Sequence, residues 1–422
     1  MMSRNMKTMI AAAAAVAMLA PLGACGSASA DSDPNTLTFF ANNTQDAYQP
    51  VLDAFAKKYP DIKVKFSTTN GSQGGYQQVL QTRISGGKLT DVFVLPPEQL
   101  SDMVDNQLAL DLTDEAFMKS IPEANKAPYS QDGKTYGMSV STWINALAFN
   151  KDLLKKAGYD KIPATWDEFI DMLKKIKKTE PDVTPYLEAK DGLGIPVEGW
   201  LGEESAADND GKMLDQSITD GETTFEKTYG PLYTEWSKLF KEDVMTSDVT
   251  GISADQMRTE FTSGRLAVMA SGAWDVPTFK DSGIDFEFGT VPMLTKDQEQ
   301  YTPGAADPSF AINAKISGQK LENAKKFLTF LASPEGLKAY QEGTGNIPVV
   351  EGYDAEIDPS FKTVYDTYMK TGHVYLNTLG WPAKGRTALR AETFSQLQQV
   401  AMGSIDGTTA AKNLDGKLQS YK

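Results

Sequence analysis

After an apolar N-terminal stretch, strand and helix signals alternate in an order that leaves few folds open. Leu37-Thr38-Phe39-Phe40 reads as a buried strand, and Val51, Leu52, Phe55 and Tyr59 then recur at helical spacing up to Pro60. Ile62, Val64 and Phe66 alternate with Lys63 and Lys65, the pattern of a half-buried strand. Tyr76, Val79, Leu80 and Ile84 mark a second helix closed by Gly86-Gly87, and Asp91 to Leu95 is a third strand ending at Pro96-Pro97. Parallel neighbours need a crossover between them, so this β-α-β-α-β order predicts a mainly parallel sheet covered by helices.

The same alternation resumes after Asn150. Asp152 to Ala157 reads as a short helix stopped by Gly158, and Thr165-Trp166-Asp167-Glu168 reads as a capping box opening a helix through Phe169, Met172, Leu173 and Ile176. Leu232, Tyr233, Trp236, Leu239 and Phe240 mark a further helix, and Gly264 to Met269 a turn into a buried strand. Ser333-Pro334-Glu335 opens a late helix, with Ser as cap and Pro at the first position. The polar segment Glu203 to Gly221 reads as a surface insertion. A chain of 422 residues exceeds the size at which one core usually stops growing, so two domains are expected.

The N-terminus predicts an exported protein. Arg4 and Lys7 precede the apolar run Ile10 to Leu19, which is too short to span a bilayer, and Leu22-Gly23-Ala24-Cys25 follows. Residues 1–24 therefore read as a signal peptide, and the junction resembles a bacterial lipobox with Cys25 as the acylated residue. Cys25 is the only cysteine, so no internal disulfide competes for it. Residues 25–35 read as a polar tether. The balance of 41 basic against 56 acidic residues, a net charge of −15, disfavours nucleic acid and anionic lipid as partners.

Four segments carry a family resemblance. Tyr136-Gly137-Met138 leads through Leu147 to Gly158 and on to Thr165-Trp166-Asp167-Glu168-Phe169. Phe261 to Met269 runs into Gly272-Ala273-Trp274; Ala324 to Gly336 contains Phe327-Leu328 and Ser333-Pro334-Glu335; Gly345-Asn346-Ile347-Pro348-Val349 comes last. This ordered set resembles the extracellular solute-binding proteins of ABC importers, the family that includes the maltose-binding protein. The resemblance implies an α/β, two-lobed periplasmic-binding-protein-like fold, each lobe a mainly parallel sheet flanked by helices and joined by hinge strands around a ligand cleft. Crossings are expected near Ala148, Asp307 and Val350. These give residues 36–148 plus 308–350 as the first lobe and 149–307 plus 351–422 as the second. The implied function is binding of a carbohydrate, in particular an oligosaccharide, and its delivery to importer permease subunits by a monomer lipid-anchored outside the cytoplasm.

Sugar rings offer apolar C–H faces to an aromatic plane and hydroxyls to convergent polar groups. Of the six tryptophans, Trp166 and Trp236 fall on helices with apolar neighbours and are expected to pack. Trp274 follows a buried strand among small residues, where open α/β sheets form crevices, and the resemblance points to the same aromatic. Trp274 is thus expected to stack on ligand, with Asp275 beside it. Trp381, in the turn Leu379-Gly380-Trp381-Pro382, and Trp143, just past a strand, are further stacking candidates; Trp200 is a weaker one. Asn42 and Asn43 after the first strand, Glu98 after the third and Asp307 in a hinge loop are the polar candidates.

Catalytic and metal patterns are poor. There is no Gly-x-Ser-x-Gly elbow, and His373 is the only histidine. Gly380 to Thr387 imitates a P-loop but carries Arg386 where Lys belongs. Asp208-Asn209-Asp210-Gly211 lacks the carboxylates that a calcium loop needs at its first and twelfth positions, where Ala206 and Ser217 stand. No cofactor, metal or enzyme activity is expected. The alternatives are an exported glycoside hydrolase, which 56 acidic residues cannot exclude, and the same fold binding a peptide or polyamine.

Overall fold

A computed structural model describes residues 33–69, 73–190, 192–207, 212–296, 299–382 and 384–421. The signal segment, Cys25 and residues 208–211 of the rejected calcium loop lie outside them.

Two hydrophobic cores organise the chain. The first gathers Phe39, Tyr48, Phe55 and Phe93 with Phe310, Phe327, Leu337 and Tyr340, so its halves come from distant stretches of sequence. Its sheet runs, in spatial order, Lys63–Thr68, Thr36–Ala41, Val92–Val94, Ser309–Ile312 and Met138–Ser139. The first three strands are parallel and the last two join antiparallel. The crossover helices Gln45–Lys58 and Gln73–Ser85 bury Tyr48, Val51, Phe55, Tyr76 and Leu80, as the apolar spacing predicts. The Thr44 hydroxyl accepts from the Ala47 amide, which fixes where the first helix starts.

The second core gathers Phe149, Trp166, Phe169, Trp200, Tyr229, Trp236 and Phe261 with Trp381, Leu397 and Leu414. Its sheet runs Phe286–Gly289, Ala146–Asn150, Leu266–Ser271 and Thr184–Leu187. Only the pairing of Leu266–Ser271 with Thr184–Leu187 is parallel. Ala146–Asn150 arrives from the hinge running the other way and pairs antiparallel on both sides, so this sheet is mixed where a mainly parallel one was expected. Helix Phe225–Trp236 packs along helix Gly407–Gln419, with Gly407 seated against Tyr233 and Thr234.

A third sheet of short strands joins the cores, in the order Ile347–Pro348, Ser141–Ile144, Thr302–Ala306 and Val374–Tyr375. Val140 belongs to the first core and Ile144 to the second, so the chain passes over at Ser141–Ile144, ahead of the expected Ala148. The chain returns to the first core between Tyr301 and Ala306 and leaves it for the last time between Tyr353 and Ala355, Ile347 alone touching the second core on the way.

Two local expectations need correction. Glu203 to Gly221 is no surface insertion: helices Ile195–Ala207 and Leu214–Asp220 bury Trp200, Leu201, Glu203, Asp215 and Ile218. Asp215 is buried on Tyr229, Tyr375 and Trp381, of which the last two are remote in sequence, so its burial leaves no apolar stripe to read. In the capping box, the Thr165 hydroxyl makes no cap bond, but the Glu168 carboxylate does reach back to Thr165.

Candidate functional site

The hinge sheet brings two tryptophans together. Trp143 lies on Ser141–Ile144 and stands opposite Ala305 of the neighbouring strand. Trp274 lies in the tight turn Ala273–Asp275 that follows strand Leu266–Ser271. Both rings are half-buried, and they meet edge to face with centroids 6.4 Å apart. Two glycines make room. A Cβ on Gly272 would stand 2.2 Å from the Trp274 ring, and one on Gly345, at φ +70°, would stand 3.2 Å from the Trp274 Cα. Gly345 caps helix Pro334–Thr344 of the first core, so Trp274 of the second core rests against the first.

Charged groups converge nearby from three directions. Glu98 lies in the turn Pro97–Gln99 after the first core's third strand, and its side chain is 7% exposed. Arg390, on helix Arg386–Ala401 of the second core, brings Nη1 within 3.8 Å of Glu98 Oε1, and its side chain stays 31% exposed. Asp307 comes from the hinge; its backbone is held by Ser141, whose carbonyl accepts from the Asp307 amide and whose hydroxyl donates to the Asp307 carbonyl. The peptide Asp307-Pro308 is cis.

Burial pushes the Asp307 carboxyl up to about 7, and the charge of Glu98 adds to the rise, while Tyr129 and Arg390 oppose it. Glu198, on helix Ile195–Ala207, is likewise raised by burial, with Arg390 opposing. Asp307 and Glu198 are each largely buried, and Arg390 acts on both carboxyls. Arg386 completes the group: burial lowers its pKa, Glu98 opposes, and it donates to the Trp381 carbonyl at 3.0 Å.

Other expected site residues are placed differently. Trp381 is 2% exposed, packs against Phe225, and donates its indole N–H to Asp215 Oδ1 at 2.8 Å, so it serves the second core and not a ligand surface. Its turn hid this, because burial there comes from non-periodic neighbours. Asp215 also accepts from Tyr229 and Tyr375, and burial holds it up at about 6 despite those donors. Asp275 is 4% exposed, with one oxygen taken by Arg258 and the other by Ser271; it braces the Trp274 turn. Asn42 and Asn43 follow strand Thr36–Ala41 and are half-buried, the Asn43 side chain accepting from the Thr44 amide. Trp166, Trp200 and Trp236 are core residues with indole bonds to the Glu235 carbonyl, the Pro292 carbonyl and Glu188 respectively. His373 stacks on Tyr301 with its Nε2 3.4 Å from Glu299.

Glu198, Arg386 and Arg390 were missed. All three ride on helices whose polar faces carry no signal in one dimension, and only the fold turns Arg386 and Arg390 toward Glu98 and Glu198 toward Arg390.

A sequence profile described as Bacterial extracellular solute-binding protein matches residues 41–338. The Multiple sugar-binding protein of Streptococcus mutans serotype c is 23% identical over 349 residues, covering 78% of this chain and 80% of that relative. The Galactooligosaccharide-binding protein of Bacillus subtilis is 24% identical over 347 residues, covering 78% and 77%. A solved structure of a family 1 extracellular solute-binding protein from Bifidobacterium longum subsp. infantis superposes with a TM-score of 0.74 at 37% identity, covering 91% of this chain and 99% of that one. With this profile match over most of the chain and two α/β lobes joined by hinge strands, the chain belongs to the bacterial extracellular solute-binding proteins.

Proposed function

We propose that this protein captures an oligosaccharide between its lobes and hands it to an ABC-type importer. The observation that carries the reading is the half-buried Trp143–Trp274 pair beside the hinge sheet, together with the Glu98–Arg390 pair that joins the two cores. Indole faces suit the C–H faces of pyranoses, and charged acceptors and donors suit their hydroxyls. Relatives named for binding multiple sugars, maltotriose and galactooligosaccharides support the same class. The first lobe is read as the chain up to strand Ser141–Ile144 together with residues 308–350, and the second as the remainder; ligand touching both would favour the closed state.

Binding proceeds without turnover in this reading, and the relatives are named as binding proteins. Export and acylation at Cys25 hold a monomer outside the cytoplasm; among the described residues no helix is long and apolar enough to cross a membrane. A melting-temperature screen against maltotriose, raffinose, stachyose and galactooligosaccharides tests the ligand class, since ligand that binds only the folded chain raises the midpoint. A rise with at least one sugar, recovered uncut by chromatography after overnight incubation, is expected. No rise with any of them, or shorter fragments in the incubation, overturns the reading. Cell fractionation of wild type and Cys25→Ala tests the anchor: wild type should stay with the membrane and the variant should not.

A further inference from the structure

We propose that Glu98 and Arg390 form an ion-pair clasp between the two lobes, with Arg386 and Asp307 as its flanking members, and that this clasp biases the ligand-free protein toward closure. The inference rests on the two-lobed reading of the cleft, but not on the sugar being the ligand.

The argument starts from where each charge is anchored. Glu98 sits one turn past Val92–Val94, a strand of the first core, while Arg390 sits on Arg386–Ala401, a helix packed into the second. Among the described residues, the lysine bridges Lys58–Glu335, Lys174–Glu242 and Lys362–Asp366 each join exposed groups within one lobe. Exposed pairs of that kind contribute little. Glu98, by contrast, is nearly desolvated, and a desolvated carboxylate without its cation is strongly disfavoured. Moving the lobes apart would hydrate both partners, so the pair stabilises closure only by the difference between its charge attraction and that hydration. Arg390 also favours the ionised forms of Asp307 and Glu198, whose carboxyls burial pushes up, so it couples to more than one carboxyl at the junction.

The clasp is also incomplete. Glu98 Oε2 and Arg386 Nε are both buried, and neither has a hydrogen-bond partner. One is an acceptor and the other a donor, and each feels the other's charge. A hydroxyl group both donates and accepts, so an uncharged polyhydroxyl ligand supplies what both lack, whereas a ligand carboxylate would face Glu98, Asp307 and Glu198.

Small-angle scattering without any ligand decides the matter. Four proteins are compared in low-salt buffer at neutral pH: wild type, Glu98→Lys, Arg390→Glu and the double exchange. Melting curves first establish that each is folded. Both single exchanges place like charges across the junction and should raise the radius of gyration, and the double exchange should bring it back toward the wild-type value. Equal radii in all four proteins overturn the clasp, as does a double exchange as expanded as the singles. If the radii follow the expected pattern while no sugar shifts the melting temperature, the clasp stands and the proposed ligand class falls.

Discussion

Trp143 on a hinge strand and Trp274 in the turn after a second-core strand meet with their planes inclined by 68°. Trp143 rides on a hinge strand and Trp274 on the turn that ends a second-core strand, so any rotation about the hinge alters their relation. Two indoles at this inclination offer a ligand one face and one edge, which suits a saccharide lying along one ring and abutting the other.

Trp274→Ala should weaken binding while leaving the fold largely intact. Its ring is only half-buried, so it is not a core residue. Truncating a central aromatic anchor at a protein interface commonly costs about 2 kcal/mol, roughly 30-fold in affinity, and the same scale is expected here. Calorimetric titration of the best sugar from the melting screen measures it. Unchanged affinity would remove Trp274 from the site.

Gly272→Ala should reproduce much of that loss without touching the indole. The added Cβ would lie 2.2 Å from the ring and 2.7 Å from the Ile144 carbonyl, and backbone cannot yield as a flexible side chain does. Residues acting through one contact are not additive. The double variant Gly272→Ala/Trp274→Ala should therefore lose less than the sum of the two single losses, the clash with the Ile144 carbonyl accounting for what remains beyond Trp274→Ala. Additive losses in the titrations would show that Gly272 acts on something other than Trp274.

What the sequence made legible follows from where each signal originates. Helical and strand periodicity is local, so Gln45–Lys58, Lys63–Thr68 and the packing role of Trp236 could be read directly. Asp215 could not: its partners Tyr375 and Trp381 lie far along the chain, and an acidic residue in a polar segment resembles surface. Trp381 and Asp275 were read as ligand contacts for a related reason, since a turn after a strand looks the same whether its side chain faces a cleft or a buried partner. Glu98 and Asp307 were proposed because strand ends mark crevices. Arg390 was not, because nothing in a helix's sequence says which remote loop its polar face will meet.

Trp236→Ala separates packing from binding. The ring is fully buried, packs edge-on against Phe240, and donates to Glu188 Oε1 at 3.2 Å. Removing a buried aromatic of this size should cost about 3–5 kcal/mol of stability. The folded fraction should keep wild-type affinity, since Trp236 lies in the second core away from the lobe junction. Denaturant melts and titrations below the new midpoint check both halves; weakened affinity at unchanged stability would reverse the assignment.

Buried carboxyls give the protein a stability that falls as pH rises. Burial pushes Glu203 up to about 8, helped by Glu204; the Leu294 and Tyr301 amides oppose it, though neither Glu203 oxygen has a partner of normal hydrogen-bond geometry. Burial likewise holds Glu188 at about 7 against donors from Gly194, Tyr186 and Trp236. An unfolded Glu titrates near 4.3, so between that value and the folded one the folded chain keeps a proton that the unfolded chain has released. Stability therefore declines as pH rises through this window, by at most about 1.4 kcal/mol per pH unit for each such group, and levels off above it. Above pH 7 the groups held near 6 and 7 are largely spent, which leaves Glu203 as the main contributor to the slope. Glu203→Gln, a neutral side chain of the same shape, should flatten the fall in melting temperature between pH 7 and 8.5. It should also be more stable than wild type at the upper end. Parallel melting profiles for the two proteins across that range would mean that Glu203 is ionised in the folded chain, held by partners that offset its burial.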